Sequence, residues 1–150
     1  MEPIAAAREV RAPVEDVFRV CTDLERAPER ISAITAVKVL SEGPFGVGTR
    51  WRETRVMYGR EASEEMWVTE FEPGRKYVAE AESHGTHYRT EFTFEPTEPG
   101  TLLLISFGAV PVSFFARLMM PLMSFMAKGL RECLQQDLED IARSVESGQA

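Results

Sequence analysis

The 150-residue chain has few of the residues that build metal-bound or disulfide frameworks, with two cysteines and two histidines. Cys21 and Cys133 lie far apart and show no CxxC or HExxH spacing. His84 and His87 lie three positions apart, which places their side chains on opposite faces of an extended strand. No Ser-His-Asp arrangement, phosphate loop or cofactor fingerprint is recognisable. We therefore expect two reduced cysteines, no metal site and no cofactor.

Positive charge and long apolar runs are also scarce. Lys and Arg number 17 against 24 Asp and Glu, for a net charge of −7. This balance disfavours nucleic-acid binding, because phosphate contacts need a clustered positive surface. The most apolar stretch, FFARLMMPLMSFMAKG, is interrupted by Arg117 and Ser124 and falls short of the roughly 20 residues of a membrane span. With no signal-peptide pattern in MEPIAAAREVRAP, we expect a soluble cytoplasmic protein without a transmembrane segment.

The order of patterns predicts one domain over residues 1–150. A short strand at 4–11 precedes a helix that begins near Pro13 and a second short helix at 24–30. Six strands follow, separated by turn signals about every dozen residues, which indicates antiparallel hairpins. Pro121 should kink the last helix or mark its start. A stripe of apolar residues predicts that this long C-terminal helix covers the inner face of the sheet: Leu130, Leu134, Leu138, Ile141 and Val145.

Alternation within the predicted strands assigns several aromatic side chains to the inner face. Tyr77 lies on the apolar side of its strand, and Tyr88 and Phe92 share a face of the next strand. The hydroxyls of Tyr77 and Tyr88 are candidates for orienting a ligand, although core tyrosines bonded to the backbone explain the same pattern. Trp67 shares a face with Phe71 and is a further candidate lining residue.

The strand RWRETR places Trp51, Glu53 and Arg55 on one face. If that face is inner, Glu53 and Arg55 form a buried polar cluster that orients a carbonyl or a carboxylate, because a buried charge needs a partner. The alternative is a cross-strand charge ladder on the solvated face. The high charge density on both faces slightly favours the ladder.

These segments, in this order, resemble the START-related helix-grip superfamily (SRPBCC), and within it the polyketide cyclase/dehydrase-like branch. The resemblance implies an α+β helix-grip fold, in which a curved antiparallel sheet of about seven strands wraps around a long C-terminal helix and encloses an apolar cavity. It covers nearly the whole chain through five phrases: VRAPVEDVFRVCTDLERAPERI, GVGTRWRET, GREASEEMWVTEFEPGRKY, EPTEPGTLLLISF and QQDLEDIARSVE.

Members of this superfamily bind lipids, sterols, polyketides and other hydrophobic molecules. The resemblance therefore implies binding or transport of a small hydrophobic ligand, such as a lipid, a polyketide or an aromatic metabolite. One alternative is a polyketide cyclase, aromatase or dehydratase, with Tyr88, Arg55 and Glu53 as candidate acid, base or oxyanion groups. A second is a co-chaperone-like interaction module, which an exposed patch at Phe114, Phe115 and Met119 would favour. A homodimer is compatible with each.

The resemblance also gives the methionine-rich segment a role. Four of the seven methionines lie between Phe114 and Met126. In a helix held by a sheet, this half would face the cavity and the leucine-rich half would close the core, since methionine adapts to irregular apolar shapes. The alternative is that the methionines fill gaps in the core. The candidate ligand-binding residues from this segment are Phe115, Met119, Met123 and Met126.

Overall fold

A computed structural model describes residues 2–148, and for residues 122–124 it describes the backbone alone. The seven strands are β1 (Ile4–Val10), β2 (Ile34–Val39), β3 (Arg50–Met57), β4 (Arg60–Glu72), β5 (Lys76–Ser83), β6 (Thr86–Pro96) and β7 (Thr101–Pro111). The four helices are α1 (Val14–Thr22), α2 (Ala27–Arg30), α3 (Phe114–Ser124) and α4 (Ala127–Glu146). A 3-10 turn at Leu24–Arg26 joins α1 to α2.

All seven strands form one antiparallel sheet in the order β1-β7-β6-β5-β4-β3-β2. Strands β2 to β7 are a meander in which each strand pairs with the next. Only β1 is out of sequence, because it pairs with β7 at the far edge. The two edge strands are consecutive in the chain, so α1 and α2 connect one edge of the sheet to the other. The predicted α+β class and order of elements are confirmed.

The second half of α4 closes the hydrophobic core. Leu138, Ile141 and Val145 are at most 6% exposed and pack in one cluster with Val17 of α1 and Leu103 of β7. Burial of such side chains contributes about 1.5–3 kcal/mol each. The predicted stripe is therefore the face that anchors α4 to β1, β7 and α1. The first half of α4, with Leu130 and Leu134, instead borders the cavity described below.

The C-terminal helical region is broken into two helices near the predicted proline. Pro121 lies inside α3, whose last residue is Ser124, and α4 begins at Ala127 after the two residues Phe125 and Met126. Proline has no amide hydrogen to donate to the carbonyl four residues earlier, so the helix is weakened one turn before its end. The two helices can therefore point in different directions.

A β-bulge in β4 changes which side chains face inward. Val68 pairs with Ala79, but the next pair is Glu70 with Val78, so Thr69 is an extra residue. The extra residue reverses the alternation, and Trp67 and Phe71 consequently lie on opposite faces. The prediction that Trp67 shares the inner face is wrong. Its ring lies on the outer face, with the Cζ atom of Arg50 4.9 Å from the ring centre.

We expect Gly100, in the turn between β6 and β7, to be intolerant of a side chain. A Cβ atom there would lie 2.7 Å from the Ala12 nitrogen and closer still to the Val10 carbonyl oxygen. Since both are backbone atoms, Gly100→Ala should lower the free energy of unfolding by roughly 2–4 kcal/mol.

Urea denaturation measures this change, with Gly108→Ala in β7 as the matched control. The nearest atom to a Cβ at Gly108 is 3.9 Å away, so that variant should remain close to wild type. Equal losses in the two variants would contradict the steric explanation.

Candidate functional site

A cavity of about 400 Å³ lies between the concave face of the sheet and the first half of α4. Strands β3 to β7 form one wall, and α4 together with the segment from Cys21 to Ile34 forms the other. The lining is mainly apolar and aromatic, and its charged members are Glu53, Arg55, Glu64 and Asp137. The volume falls within the range of about 300–1,000 Å³ that is typical of small-molecule sites.

Aromatic rings form one side of this cavity. Tyr77 of β5 pairs across the sheet with Phe92 of β6, and their rings stack at 4.5 Å between centres with 13° between planes. Phe45 meets Tyr77 edge-on at 5.0 Å. Such pairs add about 0.5–1.5 kcal/mol to the burial of their area. Burial, followed by the nearby Cys21 and Glu53, raises the pKa of the Tyr77 hydroxyl well above its ordinary value, so the hydroxyl is neutral.

Tyr88 also faces the cavity, further along β6. Its ring stacks on Phe107 of β7 at 5.6 Å between centres. Burial raises the pKa of its hydroxyl, and the negative charge of Glu64 raises it further. The hydroxyl is therefore a hydrogen-bond donor over the physiological pH range.

The charged side chains of β3 face inward. Arg55 donates from Nε to Glu53 at 3.2 Å and from Nη1 to Asp137 of α4 at 2.9 Å. Trp51, on the same face, is 4% exposed, whereas the side chains of Arg55 and Asp137 are 20% and 11% exposed. The charge density of the sequence slightly favoured a solvated charge ladder, and that prediction is wrong. Burial of Arg55 is tolerable because of Asp137, which is on α4 and therefore far from β3 in the sequence.

Glu64 of β4 adds a third carboxylate to this cluster. It lies directly opposite Glu53 in the register of β3 and β4 and lines the cavity. The salt bridges of Arg55 go to Glu53 and Asp137 and not to Glu64. Burial raises its pKa and Glu53 raises it further, whereas the charges of His84 and Arg55 act in the opposite direction. The cavity lining therefore contains three carboxyl groups and one guanidinium, which forms salt bridges with Glu53 and Asp137.

Sequence reasoning missed Asp137 and Glu64 as site residues, although each has a positional signal. Asp137 lies three residues after Leu134 and four before Ile141, so it shares the apolar side of α4. Glu64 alternates with Met66, which also lines the cavity. In both cases the signal was a charged residue at a position where the helical or strand period predicts an apolar one.

Burial of Asp137 has a direct effect on its ionisation. Burial raises the pKa of this carboxyl from 3.8 to about 6, although Arg55 opposes the shift. Glu53 and Asp140 add to the increase. Burial also acts against the charge of Arg55, but Asp137 and Glu53 outweigh it and raise the pKa of the guanidinium. Arg55 is therefore always charged, and Asp137 is the group that titrates near neutrality.

Two large lining residues are exposed: Tyr58 in the β3–β4 turn, at 56%, and Met126 just before α4, at 44%. From these exposures we infer that the cavity opens between the turn and the start of α4. Tyr58 has a positive φ of 52° and packs against Gly129. A Cβ atom at Gly129 would lie 3.1 Å from two carbons of that ring and collide with its hydroxyl. Glycine therefore permits the tyrosine to cover this part of the opening.

The methionine-rich segment does not line the cavity as predicted. Of its four candidate residues, Met126 lines the cavity. Phe115 and Met119 face solvent, with exposures of 71% and 36%, because α3 is not continuous with α4. The side chain of Met123 is outside the described residues. The inward orientation of Phe115 and Met119 is therefore a wrong prediction.

The same segment carries an exposed apolar patch, which we define as Phe114, Phe115, Leu118, Met119 and Phe125. The exposures of Phe114 and Phe125 are 76% and 86%. Exposed groups of this size generally mark a contact surface. The patch ends at Phe125, the residue before Met126, which lines the cavity.

The structure brings together the larger part of the predicted ligand-binding set. The predicted residues that line the cavity are Trp51, Glu53, Arg55, Tyr77, Tyr88, Phe92 and Met126. Trp67, Phe115 and Met119 lie elsewhere. A role for these residues in binding stays a prediction.

The histidines and cysteines lie apart from any metal-like arrangement. His84 is exposed at the β5–β6 turn, and His87 on the outer face contacts Glu80 at 2.6 Å. Cys21 and Cys133 are free thiols that line the cavity, and burial raises the pKa of Cys21 to about 12. Within the described part of the chain, no three His, Cys, Asp or Glu side chains are placed to hold a metal ion. Nor does any helix of residues 2–148 have the length and apolarity to cross a membrane.

A curved antiparallel sheet around a C-terminal helix, with an apolar cavity between them, defines a helix-grip protein. The model of one family, described as polyketide cyclase / dehydrase and lipid transport, matches residues 1–146. The chain belongs to this family. Comparison with curated proteins gave no match.

Solved structures share the fold. TTHA0849 from Thermus thermophilus is 20% identical, with a TM-score of 0.78 over 99% of each chain. The di-domain ARO/CYC StfQ from the steffimycin biosynthetic pathway is 14% identical, with a TM-score of 0.78 over 97% of this chain and 51% of StfQ. Ara h 8.0201 is 16% identical, with a TM-score of 0.70 over 97% of this chain and 98% of its own. At these identities the likeness shows the fold alone.

The raised pKa of Asp137 predicts how stability depends on pH. The folded state holds this proton more tightly than the unfolded chain does, so the carboxyl stabilises the fold below about pH 4. That contribution, roughly 2–3 kcal/mol, is lost as the pH rises through the folded value of about 6. Asp137→Asn should remove it.

Chemical denaturation of both proteins between about pH 4 and pH 8 measures the effect. The free energy of unfolding of wild type minus that of the variant should decrease with rising pH. Glu61→Gln, at an exposed position of β4, is the control and should keep the wild-type profile. A difference that increases with pH would mean that Arg55, and not burial, determines the ionisation of Asp137.

Proposed function

We propose that this protein binds or transports a small hydrophobic molecule, such as a lipid, a polyketide or an aromatic metabolite, in the cavity between the sheet and α4. The observation that carries the proposal is the open, mainly apolar space of about 400 Å³. Protein interiors are normally packed without voids of this size, so the space needs an explanation other than packing. Membership of a family described by polyketide and lipid chemistry supports the same class of ligand.

The energetics of such binding follow from the lining. A ligand that fills the cavity removes apolar surface from water on both sides, at about 25 cal/mol per Å². The ring pair of Tyr77 and Phe92 offers a flat surface for stacking. The charged cluster at Arg55 breaks the symmetry of the cavity, so a ligand with one polar region has a preferred orientation. A cytoplasmic location and a homodimer remain predictions.

Filling the cavity should abolish binding. Thr90 lines the cavity between Tyr88 and Phe92 on β6, and Thr90→Phe would place a ring in the space that a ligand needs. Native mass spectrometry of gently purified protein, followed by organic extraction, should detect an apolar molecule on wild type and none on the variant.

Thr35→Phe provides the control, because Thr35 is exposed on β2 and is not a lining residue. It should retain the ligand. A molecule that stays bound to Thr90→Phe would place the binding surface outside the cavity.

An enzyme that cyclises or dehydrates a polyketide-like substrate is the first alternative. The observation that favours it is that Tyr88, Arg55 and Glu53 all line one cavity. A neutral tyrosine hydroxyl can donate to a developing oxyanion, and a carboxylate can act as the base for an enolisable carbon. These groups also explain simple orientation of a ligand, so the geometry does not by itself require turnover.

Incubation of the extracted molecule with fresh protein separates the two functions. If the protein is an enzyme, the molecule returns chemically altered, and Tyr88→Phe should lower turnover by roughly 10²–10⁴-fold while binding is retained. If the protein is a carrier, the molecule returns unchanged and Tyr88→Phe changes affinity alone. Phe107→Leu removes the ring that stacks on Tyr88 but no hydroxyl, and it controls for loss of packing.

The second alternative, an interaction module, is favoured by the exposed apolar patch at Phe114, Phe115, Leu118, Met119 and Phe125. The cavity does not exclude it, because none of the patch residues lines the cavity. Native mass spectrometry reports the mass of any bound protein chain or second copy in the same measurement as the small ligand.

A further inference from the structure

We propose that the exposed apolar patch, together with the basic residues around it, docks this protein on the surface of an anionic phospholipid bilayer. The inference goes beyond the proposed function and does not depend on it, because none of the patch residues lines the cavity. Two independent observations carry it. One is the exposure of large apolar side chains on a helix whose start is held by the sheet, and the other is a segregation of charge along the chain.

The start of α3 is held against the β5–β6 turn. The amides of Val112 and Ser113 donate to the carbonyl oxygen of Gly85 at 2.8 and 3.2 Å. The Ser113 hydroxyl accepts a hydrogen bond from the amide of Ala116 at 3.1 Å and so caps the first turn of the helix. Ala116 is 5% exposed and lies beside Gly85. The first turn of α3 is therefore anchored to the sheet.

The patch residues on this anchored helix point away from the protein. Phe114, Phe115 and Leu118 are all more than 60% exposed, and Phe125 follows the helix with a greater exposure still. A helix with apolar side chains around most of its surface is normally covered by protein or by lipid. At 11 residues, α3 is about 16 Å long, which is too short to cross a bilayer but suits a helix that lies in its interface.

The charge around the patch is of one sign. Residues 99–131 include Arg117, Lys128 and Arg131 but no Asp or Glu, although the whole chain has 24 acidic residues. All three basic side chains are exposed. Arg117 lies within α3, and the other two lie in the first two turns of α4, shortly after Phe125. In a chain with a net charge of −7, this segment is consequently the part that an anionic surface attracts.

This combination matches the two layers of a bilayer surface. Exposed phenylalanine and leucine side chains can enter the boundary between head groups and acyl chains. Arginine and lysine can lay their aliphatic stems along the same apolar layer while their charges reach the phosphates. Phe125 is followed by Met126, which lines the cavity, so docking would place a lining residue next to one that is inserted in lipid.

A second copy of the chain fits the patch less well. A two-fold contact through the patch would bring the same three cations of each copy towards one another. No acidic residue of the segment 99–131 is available to neutralise them. A protein partner would have to supply an apolar surface with an acidic rim, whereas an anionic phospholipid supplies both properties in every molecule.

Cosedimentation of the full chain with lipid vesicles tests the proposal. Vesicles of phosphatidylcholine alone are compared with vesicles of phosphatidylcholine and phosphatidylglycerol at about 7:3, in about 0.1 M salt. Half-maximal binding to the anionic vesicles should require a lipid concentration at least about tenfold lower. Raising the salt to about 0.5 M should reduce this preference, because the charges are then screened.

The substitution Phe125→Ser tests the apolar contribution. Phe125 lies between α3 and α4, so the change does not interrupt either helix. It should weaken binding to the anionic vesicles by about tenfold, since one large side chain no longer enters the lipid. Val47→Ser is the matched control, because Val47 is also apolar and 68% exposed but lies in the β2–β3 loop, outside the patch. It should bind as wild type does.

The substitution Lys128→Gln tests the contribution of charge. It should weaken binding to the anionic vesicles by about fivefold and leave binding to phosphatidylcholine alone unchanged. Lys38→Gln removes the same charge from an exposed position on β2, at the opposite edge of the sheet from β1 and two strands of α3's neighbour β7 removed from no acidic residue of the segment, and it should keep the wild-type affinity.

Three results would overturn the proposal. Wild type that binds neither kind of vesicle would leave the patch to a second copy or to a protein partner. Equal binding to neutral and anionic vesicles would exclude the role of the basic residues. Equal affinities in wild type and Phe125→Ser, with the variant shown to be folded by urea denaturation, would exclude the patch as the docking surface.

Discussion

The salt bridge between Arg55 and Asp137 is the contact on which the arrangement of sheet and helix around the cavity depends. It joins β3 to α4 at 2.9 Å, with both side chains largely buried. Either charge alone in that position would be costly, by several kcal/mol, because neither could recover its hydration. The first half of α4 is therefore held at the distance that this pair requires, and the space beside the pair stays open.

The two halves of α4 have different surroundings, and this difference explains how a small domain can maintain an internal void. The second half of α4 packs tightly with β1, β7 and α1 through Leu138, Ile141 and Val145. That core gives the fold its stability, since burial of apolar area is the main favourable contribution to folding. The first half of the same helix is thereby free to face the cavity, which Leu130, Cys133 and Leu134 line.

Much of the fold was predictable because its signals are local. Strand alternation placed Tyr77, Tyr88 and Phe92 inward, and the helical stripe identified the packed face of α4. Three features of the structure could not be predicted from the local spacing of apolar residues. Thr69 reverses the alternation with one extra residue, α3 leaves the line of α4, and Asp137 pairs with Arg55 across 82 residues of sequence. The sequence does place Asp137 and Glu64 at positions where the period predicts apolar residues, but only the tertiary structure shows that Asp137 is the partner of Arg55.

The bulge at Thr69 divides β4 into two parts whose side chains can change independently of each other during evolution. Ala62, Glu64 and Met66 line the cavity before the bulge, whereas Phe71 packs into the aromatic core after it. Substitutions before the bulge can reshape the cavity over evolutionary time without disturbing the packing after it. A deletion of one residue would instead exchange the inner and outer faces of one half along its whole length. The length of this strand should consequently be inherited more strictly than the identity of the side chains before the bulge.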